Sequence, residues 1–94
     1  MAHESLSCLP IVEGEGLTLK QAAFLANSSP DTVARWARRF GIGRQVEPGA
    51  RWLISEPGLR MVLAVDADAL EAFRAGDRSS SLVLPYLKQV GEPA

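Results

Sequence analysis

From Leu17 to Phe40 the apolar positions recur at helical spacing in two blocks, separated by a short polar break. In the first block Leu19, Ala22, Ala23 and Ala26 form a narrow stripe that Leu25 widens. Thr18, followed three positions later by Gln21, fits a capping box, in which two side chains satisfy each other's orphan backbone donors. Asn27-Ser28-Ser29 ends the stripe. Asn tolerates the left-handed conformation in which helices often terminate. Ser29 is a good N-cap, and Pro30 suits the first helical position, where its missing N–H costs nothing. The pattern therefore predicts a second helix over Pro30–Phe40, stopped by Gly41 and Gly43. Val33, Trp36, Ala37 and Phe40 share one of its faces at i, i+3, i+4 and i+7.

After Gly43 the period changes. Ala50–Ser55 and Arg60–Val65 are short β-prone runs separated by Glu56-Pro57-Gly58-Leu59, and Pro-Gly is a strong turn signal. Asp66 is placed to cap a third helix running from Ala67 to about Arg74, with Val65 and Leu70 positioned for a hydrophobic staple. Residues 1–16, with Pro10, Gly14 and Gly16, read as a flexible arm containing a short extended piece at Leu9–Val12. Residues 76–94 read as a linker and an apolar C-terminal segment, Leu82–Val90, interrupted by Pro85. The expected folded unit is residues 17–75, a small α+β domain of three short helices and a β-hairpin.

Ninety-four residues hold one compact core. A net charge of −1 argues against a chain that coats nucleic acid indiscriminately, but the charge is unevenly spread. Between Pro30 and Arg60, six arginines stand against Asp31, Glu47 and Glu56, a net of +3 that leaves −4 for the rest. Cys8 is the single cysteine, so no internal disulfide is expected. No apolar run approaches the ~18 residues of a membrane span. The first residues lack the basic-then-apolar order of a signal peptide, and a soluble cytoplasmic protein is the expectation.

Catalytic chemistry finds little support. His3, the only histidine, lies in the expected arm, and a mobile imidazole cannot serve a nucleophile. His3, Glu4 and Cys8 lack the paired spacing of a metal site. Gly41-Ile42-Gly43 has no following lysine and no strand-turn-helix setting for a phosphate loop. Asp66, Asp68 and Glu71 are explained as charges complementing a helix N-terminus. The expectation is a protein that is not an enzyme and uses no cofactor or metal.

The second helix carries the chemistry. Arg35 lies nearly opposite its apolar face, flanked by Asp31, Arg38 and Arg39, with Thr32 at the boundary. The planar guanidinium fork bonds two acceptors on a guanine edge or clamps a phosphate. Ser28, Ser29 and Thr32 sit where hydroxyls and backbone N–H groups at a helix start can hold a phosphate. Trp36 and Trp52 lie on apolar periodic faces and are expected in the core.

Residues 17–23 (LTLKQAA), the serine-rich turn, residues 32–36 (TVARW), the hairpin and residues 65–73 (VDADALEAF) together resemble the excisionase-type winged helix-turn-helix domains related to the MerR DNA-binding domain. The resemblance covers roughly residues 17–74. It implies a recognition helix in the major groove of double-stranded DNA and a hairpin wing against a neighbouring minor groove or backbone. On matching positions it gives Thr32, Arg35, Arg38 and Arg39 to the helix contacts, and Arg51 and Arg60 to the wing. Two hairpin registers remain open, Arg44–Ile54 and Ala50–Val65. The second is favoured because Val65-Asp66 then leads directly into the third helix. The implied roles are a small transcription regulator, an excisionase-like architectural factor in DNA recombination, or the DNA-recognition subunit of a phage packaging machine. The competing class is a protein-interaction adaptor. Leu82–Val90 either packs onto the domain's own core or forms a surface for self-association or a protein partner.

Overall fold

Helix boundaries follow the capping residues. The computed structural model describes residues 8–45, 47 and 49–92, within which α1 spans Leu19–Ala26 and α2 spans Pro30–Phe40. The capping box closes as expected: the Thr18 N–H donates to Gln21 Oε1 at 2.9 Å and the Gln21 N–H to Thr18 Oγ1 at 3.0 Å. Asn27 ends α1 in the left-handed conformation at φ 53°, and Gly41 ends α2 at φ 66°. Ser29 caps α2 by accepting the Thr32 N–H at 3.2 Å.

A three-stranded antiparallel sheet follows, in the order β1-β3-β2. Strands β2, Gly43–Gln45, and β3, Trp52–Ser55, pair Gly43 with Ile54, Arg44 with Leu53 and Gln45 with Trp52. Strand β1, Gly16–Leu17, adds to the other edge of β3. The hairpin is thus the one over Arg44–Ile54, and the favoured alternative over Ala50–Val65 does not form. A helix capped by Ser55 takes the place of the expected turn. The Ser55 Oγ accepts the Gly58 N–H at 3.1 Å, and Glu56 and Pro57 form the first turn of a helix rather than a hairpin turn. An acidic residue and a proline both suit a first helical turn, one for the dipole and one because no donor is needed there. The resulting helix α3, Glu56–Leu63, buries Leu59 and Met61 completely.

Helix α4, Ala67–Arg74, begins at the expected cap: Asp66 Oδ1 accepts the Ala69 N–H at 3.0 Å. Asp66 Oδ2 also accepts from the Tyr86 hydroxyl at 2.8 Å. The Ala69 N–H first, and the Tyr86 hydroxyl second, hold the Asp66 carboxyl below the usual carboxylate range. The expected staple contributes little, because Val65 is 89% exposed. Val65 also adopts φ 54°, which a β-branched residue takes only under strain.

The stretch expected as an arm divides. Residues 1–7 lie outside the described residues. Leu9 is buried and its N–H donates to the Gly41 carbonyl at 2.8 Å, without a strand at Leu9–Val12. At the other end, α5, Leu84–Lys88, leans on α3. Val83 is fully buried and Tyr86 and Leu87 pack on the core, so this part of the apolar segment folds back onto its own domain. The intervening residues are tied down, with Arg78 paired to Glu15 and its guanidinium over the Phe73 ring. Five helices and three strands make a small α+β fold among the described residues.

Replacing Val65 by Gly removes the left-handed strain and should raise stability by about 1 kcal/mol in urea unfolding. The lowered Asp66 carboxyl contributes stability above the ordinary carboxylate range and loses it as pH falls through its folded value. Asp66→Asn should therefore flatten the acid limb of a stability-versus-pH curve. An unchanged acid limb would show that Asp66 is not the group responsible.

Candidate nucleic-acid interface

Val33 and Ala37 point into the core, which turns Asp31, Arg35, Arg38 and Arg39 outward on α2. The three arginines are exposed, and two are oriented by rings: Arg38 lies 5.1 Å over Trp52, and Arg39 lies 5.3 Å over Phe40. A guanidinium on an aromatic face keeps its charge while losing rotamer freedom. Because Trp52 belongs to β3, the Arg38 contact also links the helix to the hairpin.

That link requires close approach. A Cβ on Gly43 would meet Ile54 Cδ1 at 2.5 Å and both Ala37 Cβ and the Leu53 carbonyl at 3.0 Å. Only glycine lets β2 pass between α2 and β3 at this spacing. The hairpin loop is drawn together by a bond from Gln45 Nε2 to the Ala50 carbonyl at 2.6 Å. Arg51 is exposed at the foot of β3. Arg44 is also exposed, and the pairing places it across from Leu53, on the pleat opposite Gln45 and Trp52.

The hydroxyls at the start of α2 are already engaged within the chain. Ser29 Oγ donates to Thr32 Oγ1 at 2.9 Å while accepting the Thr32 N–H, and Ser28 Oγ donates to the Ala26 carbonyl at 3.3 Å. Their first role is capping. Arg60 is not at the hairpin at all. It lies on α3, where its Nε donates to Glu56 Oε2 at 3.0 Å and its other nitrogen to the Glu92 carbonyl at 2.7 Å. Its assignment to the wing fails because the strand expected around it is a helix.

Two features of this region were not legible in the sequence. Arg44 belongs to the basic middle, and only the correct hairpin register shows it exposed on the face of the hairpin opposite Trp52. Trp52 was assigned wholly to the core. It does pack there, half-buried, yet its ring also supports Arg38. Cys8 lies half-buried; burial pushes its thiol up, and the charges of Arg44 and Arg74 offset part of that rise. Such a thiol is a poor nucleophile at neutral pH. His3 and Glu4 fall outside the described residues, and no metal-holding group of three acidic, histidine or cysteine side chains occurs among the described ones. No helix among the described residues is long and apolar enough to cross a membrane.

Comparison with protein-family models, curated proteins and solved structures finds no match to this chain. The site is therefore argued from its own geometry.

Gly43→Ala should lower stability by about 1–3 kcal/mol, the range for overpacking a tight contact. Urea unfolding with a fixed slope would measure it. A change within experimental error would show that the helix and hairpin are free to shift apart.

Proposed function

We propose that this chain is a winged helix-turn-helix protein that binds double-stranded DNA with sequence preference. Helix α2 enters the major groove and the β2–β3 hairpin serves as the wing. The observation that carries the reading is the outer face of α2, where Arg35, Arg38 and Arg39 stand exposed opposite a buried Val33–Ala37 side. This cationic face belongs to a chain whose net charge is −1, so the positive charge is local rather than general.

The proposed division of labour is supported by where the arginines lie. Arg38, supported by Trp52, and Arg35, central on the exposed face, are the residues for base edges, where a bidentate arginine contact discriminates by about 1–3 kcal/mol. Arg39, Arg51 and Arg44 suit phosphates, which supply affinity and salt dependence without reading sequence. Ser29 and Thr32 position the start of the helix. Arg60 takes no part. A small transcription regulator, an excisionase-like architectural factor and a DNA-recognition subunit for phage packaging all draw on these same contacts.

Fluorescence anisotropy of a labelled random-sequence duplex should show binding that weakens steeply with salt, with a log–log slope of about −0.9 per phosphate contacted. Arg35→Ala should weaken binding to a selected site by roughly tenfold or more, while stability stays within about 0.5 kcal/mol. A folded protein that ignores duplex at low salt would remove the DNA reading and leave the adaptor class.

A further inference from the structure

The outer face of α2 is not purely cationic. At about 100° per residue, Arg35 lies about 40° to one side of Asp31 and Arg38 about 20° to the other. The Asp31 carboxylate therefore stands on the midline of the arginine face, and all three side chains are exposed. Asp31 and Arg35 have the i, i+4 spacing, acid first, that favours a pair on one helix. Yet no ion pair joins these two described residues, and no hydrogen bond among the described residues takes up the Asp31 carboxylate.

An acid in the first turn complements the helix dipole, and Asp31 is the acid of the first turn of α2. The dipole accounts for the residue type but not for the face, because it acts on a charge anywhere in that turn. On a surface that approaches phosphates this face is a costly choice, since a carboxylate there repels the backbone that the arginines attract. What it offers in return is discrimination. A carboxylate only accepts. In the major groove guanine presents two acceptors, and adenine sets its N7 acceptor beside its N6 donor, whereas cytosine offers the N4 donor alone. The wrong base is thus penalised as well as the right one bonded.

We infer that Asp31 is a specificity-determining residue, whose carboxylate accepts from N4 of a cytosine about one or two base pairs from the guanine that Arg35 bonds. One helical turn separates the two residues, about 6 Å along the axis, against about 3.4 Å per base pair. The inference rests on the DNA reading of α2 and adds a base that reading does not name.

Selection of bound sites from a random duplex library, with the wild-type chain and its variants, tests it. The wild type should select a site with a cytosine near the guanine whose preference Arg35→Ala abolishes. Asp31→Ala should lose at least about fivefold of the preference for that cytosine. It should keep the guanine, and it should bind random-sequence duplex more tightly. Asp31→Asn should move the preference to adenine, whose N6 and N7 an amide bonds together. Because Asp31 is exposed, far-UV circular dichroism should show both of its variants folded. An unchanged cytosine preference in Asp31→Ala overturns the proposal, and so does a wild-type site with no cytosine there; in both cases the selected site leaves the DNA reading standing. A uniform loss of affinity with the base preference kept assigns Asp31 to the helix dipole alone and overturns the proposal too. A folded wild-type chain that ignores duplex at low salt overturns the DNA reading itself, and this inference with it.

Discussion

The chain passes from β3 into α3 with no loop between them, and the groups around Ser55 and Glu56 hold the rest of the molecule to that point. The Ser55 N–H donates to the Ile42 carbonyl at 2.7 Å, fixing the approach to β2. The Glu56 N–H donates to the Glu15 carbonyl at 2.8 Å, fixing the approach to β1. Ser55 Oγ caps α3, and Glu56 Oε2 receives both Arg60 and the Gly91 N–H, the latter at 2.9 Å. A carboxylate only 5% exposed is costly to bury unless donors surround it. Here the donors come from α3 and from the C-terminal end, so satisfying the charge also brings that end home.

What could be read from sequence was what local chemistry decides. Helices α1, α2 and α4 lie where Thr18 with Gln21, Ser29 with Pro30, and Asp66 signal them, because a cap and the residues it serves are within one turn of each other. The stretch Ser55-Glu56-Pro57-Gly58 was ambiguous for the same reason. Those residues satisfy a tight turn and a helix start equally well, and the choice falls to a distant contact. Gly58 packs so closely on Ile42 that a Cβ would lie 3.0 Å from its Cγ2. A helix brings Gly58 there while burying Leu59 and Met61. Strand β1 has two residues and owes its existence to the free edge of β3, which no local pattern announces.

The candidate site divides along the same line. The arginine face of α2 was legible because a 3.6-residue period fixes which side chains oppose Val33 and Ala37. Arg60 was misplaced because its surroundings depend on whether its segment is strand or helix. The pairing of Arg38 with Trp52 could not be read at all, since it joins two elements whose relative placement follows from the hairpin register and the missing Cβ of Gly43. Periodicity assigns a residue to a face; only packing assigns that face its neighbours.

The close seat of β2 between α2 and β3 also bears on how a DNA site would be chosen under the proposed function. With Gly43 closely packed and Arg38 lying over Trp52, helix and hairpin are set at a close spacing, like the jaws of a caliper. A caliper that resists opening would transfer the work of fitting to the duplex, whose cost of bending and groove narrowing varies with base step. Part of the sequence preference would then reside in base pairs that no side chain touches, written in the stiffness of the DNA.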